Sequence, residues 1–394
     1  MSTYLSESLS LFDYTRSLRR DFHRHPELGF CEVRTAGIVA RELNALGLEV
    51  TTGIGRTGVV ALLEGSRPGP VVLARFDMDA LPITEETGAE YASQNTGVMH
   101  ACGHDGHTAI GLTVARLLHA RRGDFAGTVK LVFQPAEEGL GGAEAMVADG
   151  VLENPKPTLT LALHLWNDKP LGWLGITPGP CMAASDAFQM RIIGKGGHGA
   201  APHLTIDPLL AAAQIITALQ SVVARNIAPL KSGVVSVTSV RGGETHNVIP
   251  PSVELRGTIR AFEPEIRTLI LERFHQITNN IAQAMGCRLE VEFKRISPPV
   301  INDAVITRRV QEVAAGLLPE CAIDSNEHTM GSEDMAFMME QIPGCYFFIG
   351  SANPEKGLNA SHHHPRFDFD EDALPRAAAM MAAVVMEFMD KTNG

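Results

Sequence analysis

Nine consecutive residues of this chain, Met99-His100-Ala101-Cys102-Gly103-His104-Asp105-Gly106-His107, carry one thiol, three imidazoles and a carboxylate. Thiolate and neutral imidazole both suit a borderline-soft divalent metal. A Cys-x-His pair supplies only two ligands, so a metal centre needs further donors. Four other stretches concentrate them: Asp77-Met78-Asp79, Glu137-Glu138, His164 and His362-His363-His364-Pro365. Each has a plain alternative. Adjacent glutamates are most often a solvated turn, and a single histidine after an apolar run is commonly a satisfied, half-buried residue. Asp77 and Asp79 could cap a helix. The signal is joint, because every stretch follows a β-rich run, where an open α/β sheet presents its active-site residues.

The elements that must position these residues alternate in type. Apolar residues recur at helical spacing over 12–24 and 32–46, and Gly47 stops the second helix. Short β-rich runs follow at 48–52, 59–63 and 71–76, then a helix over about 106–121, a strand at 129–133, a Gly-rich helix to residue 148 and a strand at 159–165. This alternation predicts an α/β domain with a mostly parallel sheet. Between 186 and 297 the rhythm becomes strand 187–193, helix 208–225, strands 234–241 and 252–260, helix 264–285 and strand 287–294, the βαββαβ order of a ferredoxin-like unit. Asp207 then Pro208 reads as an N-cap with proline at the first helical position. Ile266, Ile270, Phe274, Ile277, Ile281 and Met285 form the expected apolar stripe of the second helix. The expectation is one α/β domain, residues 1–185 and 298–394, interrupted by an inserted domain over 186–297.

Composition excludes several classes. Of 394 residues, 45% are hydrophobic and 20% charged, the balance of an ordinary globular protein. The net charge of −12, with scattered Lys and Arg, argues against a nucleic-acid partner. No run is expected to reach the ~18 apolar residues of a membrane span. Six widely spaced cysteines show no disulfide framework, so a cytoplasmic setting is expected. Gly53-Ile54-Gly55-Arg56-Thr57-Gly58 has dinucleotide-binding spacing, but a β-rich run follows it instead of the helix that motif requires, which predicts a hairpin. Neither G-x-S-x-G nor H-E-x-x-H occurs.

Eight motifs, in order, resemble the amidohydrolase branch of the M20 metallopeptidases: H-R-H-P-E-L-G-F at 23, D-M-D-A-L-P at 77, M-H-A-C-G-H-D-G-H at 99, E-E-G at 137, G-K-G-G-H-G-A-A-P-H at 194, H-N-V-I-P at 246, G-S-E-D-M-A at 331 and H-H-P-R-F-D at 363. This branch includes hippurate hydrolases, N-acyl-amino-acid amidohydrolases and auxin-conjugate hydrolases. The resemblance implies a metal-binding domain with an inserted lid and dimerisation domain. It also implies Cys102, His104, Glu138, His164 and His363 as ligands of two divalent ions per subunit (Zn, Mn, Co or Ni), with Cys102 bridging. The histidine run offers two registers, His362 and His363. The family ligand sits two residues before the proline, which selects His363.

The resemblance further gives Glu137 the role of general base and acid toward a water held between the metals. It assigns Asp79 to orienting a ligand imidazole, His198 to the oxyanion, and Asn247 and Arg260 to the substrate carboxylate. The implied substrate is an N-acyl amino acid, and the implied assembly a homodimer, or a tetramer, through the inserted domain. A dipeptidase, a carboxypeptidase or a deacetylase of one biosynthetic intermediate is the alternative within the enzymes. A metal-binding protein without catalysis is the alternative outside them, and the intact Glu137 speaks against it.

Overall fold

The computed structural model describes residues 2–390. The β-rich runs join one eight-stranded sheet in the order Glu49–Ile54, Gly58–Glu64, Ala126–Gln134, Arg67–Asp77, Leu159–Pro170, Gly344–Ala352, Trp173–Gly175 and Ala322–Asp324. Its four central strands are parallel, and antiparallel pairings flank them. Gly344–Ala352 is buried at every residue, as a strand in the middle of such a sheet must be. Helices His104–His119 and Ala373–Asp390 pack on the sheet and on each other.

Register carries the chemistry to one edge. Asp77 pairs with Gln134, so the segments that leave these two strands, with Asp79 and with Glu137-Glu138, start side by side. Arg75 pairs with Ala162, which brings His164 to the level of Asp77. Residues 53–58 form the turn of an antiparallel hairpin between Glu49–Ile54 and Gly58–Glu64. Gly55 and Arg56 there take φ of 61° and 75°, the left-handed values that tight hairpins demand.

Several elements differ from the sequence expectation. The strand containing His164 runs on to Pro170, so His164 lies within it and not at its end. Helix Ser2–Ser10, helix Ala304–Leu317 and the short strands Trp173–Gly175 and Ala322–Asp324 are absent from the sequence expectation, although Asp303 and the stripe Ile306, Val310, Val313, Ala314 and Leu317 mark the second of these helices. Three residues are too few to establish a period of two.

A second compact unit comprises residues 182–300 and 329–333. Its four-stranded antiparallel sheet has the order Gly233–Arg241, Ser252–Ala261, Ala184–Ile193, Arg288–Ser297, with helices Pro208–Asn226 and Pro264–Ala284 between strands, which makes it ferredoxin-like. Asp207 caps its helix by accepting from Leu209 N at 2.8 Å. The buried stripe of Pro264–Ala284 is Ile266, Ile270, Phe274, Thr278 and Ala282. Ile277 and Ile281 are only partly buried, and Met285 is 36% exposed. Thr278 enters the core because its hydroxyl donates to Phe274 O at 2.9 Å, which hydropathy cannot reveal. Pro208–Asn226 is long and apolar enough by length and composition to span a membrane. Here Ala211, Ala212, Ile215, Leu219 and Val222 face the core of this unit, while Gln214 and Gln220 are exposed.

Candidate metal centre

The segment 99–107 ends in a turn that only glycine makes easily. Gly103 has φ of 94° and starts helix His104–His119, so Cys102 and His104 flank the turn. A Cβ on Gly106 would come within 2.8 Å of Leu165 Cδ1 and Phe369 Cζ, so the helix rests directly on the strand that carries His164. The Glu137-Glu138 pair sits in another tight turn, between Ala136 at φ 54° and Gly139 at φ 76°. Buried Glu32 holds that turn, accepting from Ala136 N at 2.8 Å and from the Thr57 hydroxyl at 2.5 Å. His363, at φ 65°, is tied back to the first segment through its N–H to Ala101 O at 2.7 Å.

The structure brings all five expected ligands together. Cys102, His104 and His164 form one group of donor atoms mutually within 4.8 Å, and Cys102, Glu138 and His363 form another. The two groups share the Cys102 sulfur. His104, Glu137 and Glu138 form a third such group, so Glu137 stands beside the centre.

Hydrogen-bond partners separate imidazoles with a nitrogen free to ligate from those without one. His104 Nδ1 faces Asp79 O at 2.9 Å and Asp79 Oδ1 at 3.2 Å, both acceptors, so that nitrogen carries the proton. Its Nε2 is buried and makes no hydrogen bond. His164 Nδ1 donates to Leu165 O at 2.7 Å, leaving the Nε2 lone pair 3.5 Å from Cys102 Sγ. A metal-binding histidine has this pattern: one N–H anchored, the other nitrogen bare. His107 lacks it, because Nδ1 bonds Asp77 Oδ1 at 2.6 Å and Nε2 accepts from Leu165 N at 2.9 Å. Buried His100 makes no hydrogen bond and joins none of the groups.

The charges are uneven across the donor set: against burial, Asp77 and then Cys102 hold His104 well above the ordinary histidine range. Burial, aided by Glu138, pushes the Cys102 thiol up, so the thiolate needs a cation beside it. The neighbouring Cys102 sulfur, then the Glu138 carboxylate, lift His363 to about 10. Burial, with His107 and His362 alongside, holds His164 well below the ordinary histidine range and therefore neutral. His363 Nε2 lies 3.2 Å from Glu138 Oε1, yet that oxygen has no hydrogen bond. The two atoms are close without being aimed at each other, as ligands of a common ion would be. The unpartnered His104 Nε2 and Glu138 Oε1, the two groups sharing one thiol, and the mixed N, O and S donors fit a pair of divalent cations.

A surrounding layer holds these donors. Asp79 Oδ2 accepts from Glu138 N at 3.0 Å, so Asp79 touches both His104 and Glu138. Asp77 takes Arg75 Nη1 at 2.6 Å on its second oxygen. Burial works to raise its pKa, but Arg75, His104 and His107 outweigh burial and keep Asp77 ionised. Asp334 accepts from Gln134 Nε2 at 2.6 Å and Ala143 N at 2.8 Å, and its own N–H donates to Glu137 Oε1 at 3.3 Å. Sequence reasoning missed Glu32 and Asp334 as positioning residues. The E-D pair of the motif at 331 was the available signal for Asp334, whereas nothing local marks Glu32.

His198, Asn247 and Arg260 belong to the second unit. His198 and Asn247 are exposed on a small ribbon in which His198 pairs with Val248, and Gly199 N donates to Asn247 O at 2.7 Å. His198 Nδ1 accepts from Ala200 N at 3.0 Å, so its proton lies on Nε2. Half-buried Arg260 has a buried Nη1 without a hydrogen-bond partner. The nearby Asp186 carboxylate is already clasped by Arg267, at 2.7 and 2.6 Å. All six cysteines are free.

Thiol, imidazole and carboxylate donors gathered at one edge of a parallel sheet are the apparatus of a metal-dependent hydrolase. The chain belongs to peptidase family M20/M25/M40, whose profile matches residues 73–387, and it is a hydrolase of amide bonds. It is 41% identical over 375 residues to an N-acetylcysteine deacetylase of Bacillus subtilis, covering 94% of this chain and 96% of that protein. It is 39% identical over 389 residues to IAA-amino acid hydrolase ILR1-like 4 of Arabidopsis thaliana, covering 98% and 88%. Among solved structures, it is similar to the YXEP protein of Bacillus subtilis, described as a dinuclear metal binding peptidase of the M20 family. That match has a TM-score of 0.84 and 36% identity, covering 96% of this chain and 99% of that one.

Proposed function

We propose that this protein is a two-metal amidohydrolase that splits N-acyl amino acids into a carboxylic acid and a free amino acid. The observation that carries the reading is the pair of donor groups joined at Cys102, with Glu137 beside them and outside the pair. The relatives support the substrate class, since one name describes an N-acetylated amino acid and the other an amino acid joined to IAA. Cys102, His104, His164, Glu138 and His363 would hold the ions. Thiolate favours zinc, with manganese, cobalt and nickel as alternatives. Two divalent ions held there supply Lewis acidity toward the attacking water and the amide carbonyl.

The chain's own groups then move the protons. Glu137, fixed by the Asp334 N–H, takes a proton from the attacking water. It returns that proton to the amide nitrogen as the C–N bond breaks, because an amine leaves poorly as an anion. His198, with its proton on Nε2, is a neutral donor suited to the oxyanion. Arg260 offers an unsatisfied guanidinium N–H to the carboxylate of the amino acid, and Asn247 a side-chain amide. In this reading residues 186–297 act as a lid and as the contact between two subunits.

The experiment is a substrate panel on protein reconstituted with Zn²⁺, Mn²⁺ or Co²⁺, read by release of the free primary amine. N-acetylcysteine, N-acetylmethionine and hippurate should turn over. N-acetylmethionine amide, which lacks the carboxylate, should fall about 100-fold in kcat/KM if a charged hydrogen bond worth ~3 kcal/mol is lost. Faster cleavage of dipeptides with free amino termini would overturn the proposal in favour of a dipeptidase.

A further inference from the structure

His362 takes no part in the centre as described so far, yet its Nδ1 lies 3.8 Å from Cys102 Sγ, the sulfur shared by both donor groups. Its other nitrogen, Nε2, accepts the backbone N–H of Asn167 at 3.1 Å. A backbone amide only donates, so Nε2 is the bare nitrogen and the ring proton sits on Nδ1. His362 therefore presents an N–H to the sulfur and has no lone pair left for a metal. This is the reverse of His164, whose lone pair faces the same sulfur.

The ring is held from several sides. It lies against Trp166 with centroids 5.0 Å apart at 34°, against Phe367 at 5.1 Å and 35°, and edge-on to His164 at 5.1 Å. Asn167 is fixed in turn, donating to Ala360 O at 2.9 Å and Asp368 O at 3.0 Å and accepting the Ser351 hydroxyl at 3.1 Å. The direction of the N–H is thus set by strand Leu159–Pro170 and its packing, not by a mobile loop.

We propose that His362 is a positioning residue that donates its Nδ1–H to the Cys102 thiolate, fixing the shared sulfur and drawing electron density from it. A hydrogen bond to an ionised acceptor is stronger than one between neutral groups. Sulfur that shares density with an N–H would give less to ions held there, which would leave them stronger Lewis acids. The inference rests on Cys102 being a ligand, and the test separates that premise from the role of His362.

The cobalt-loaded wild type should show a thiolate-to-cobalt charge-transfer band in the near ultraviolet. His362→Phe keeps an aromatic ring against Trp166 and removes the donor, so the band should move to longer wavelength by several nanometres. His362→Asn places an amide N–H where Nδ1 stood and should hold the band near its wild-type position. No band in the wild type would refute Cys102 as a ligand. A wild-type band unmoved in the Phe variant, or displaced equally in both variants, would refute the donor role. Nitrogen-15 histidine spectra of the zinc-loaded wild type test the same point without a substitution: the ring proton of His362 should reside on Nδ1, and a proton on Nε2 overturns the proposal.

Discussion

Glu137→Gln separates the two neighbouring glutamates. The substitution is isosteric, and the new amide oxygen can still accept the Asp334 N–H that Glu137 accepts at 3.3 Å, so the turn should survive. Glu138, the residue grouped with Cys102 and His363, is untouched, and its N–H stays on Asp79 Oδ2 at 3.0 Å. The loss expected is that of proton transfer. In the proposed reaction one carboxylate serves both the attack and the departure of the amine, so the upper part of the usual range is expected, about 10³–10⁴-fold in kcat. This corresponds to about 4–5.5 kcal/mol of barrier. The assay is single-substrate hydrolysis of N-acetylmethionine, with metal content measured on the same sample. Two ions per chain with turnover reduced a thousandfold or more is the expected result. Metal content falling to one ion would make Glu137 a ligand and reverse the assignment of the pair. Turnover within tenfold of wild type would place the base elsewhere.

Four further outcomes follow from the geometry. Cys102→Ala should lower metal occupancy, and iodoacetamide should modify Cys102 in the metal-free wild type but not in the loaded protein; equal labelling excludes it as a ligand. Asp79→Ala removes a carboxylate that touches both His104 and Glu138 but spares the Asp79 O contact to His104, so metal affinity measured by chelator competition should fall about tenfold, the lower end for such partners. His198→Ala should retain its metals and lose ~10²–10³ in kcat; if the histidine acts across a subunit interface, exchange with Glu137→Gln subunits should restore activity, and inactive mixed dimers would exclude that route. Burial tends to lower the pKa of His23, but Asp105 and Glu85 outweigh it and lift the group to about 9. The stability this gives is full below the unfolded value near 6.5 and disappears as pH rises through about 9, so the urea stability of the metal-free wild type relative to His23→Gln should drop by about 3 kcal/mol between pH 6 and 9.5. A pH-independent difference would contradict the buried imidazolium.

Much of the site could be read in the sequence because its donors are rare residue types, most of them placed just past strands, and the shared register of parallel strands gathers such positions. Segment 99–107 announced a thiol and imidazoles, but not which imidazoles have free lone pairs. That depends on Leu165 N reaching His107 and Asn167 N reaching His362, contacts made by a strand some 60 to 195 positions away. Glu32 was invisible for the same reason, since its partner Ala136 is 104 residues downstream. The order of the ferredoxin-like unit was legible because its helices and strands are long. Its core stripe was read with Ile277 and Ile281 in place of Thr278 and Ala282, because hydropathy has no term for a hydroxyl satisfied by its own helix.

The position of Gly344–Ala352, inside the sheet beside Leu159–Pro170, sets a timetable for synthesis. The second unit, apart from residues 329–333, is complete once residue 300 has emerged. Leu159–Pro170 must wait for a partner made 182 residues later (352 minus 170), about 10–40 s at ordinary elongation rates. Through that interval an apolar strand edge stands open on the nascent chain, a template for wrong pairing. Cys102 waits longer, until His363 is made. A chain cut short before residue 344 would carry a finished ferredoxin-like unit and an unfinished sheet.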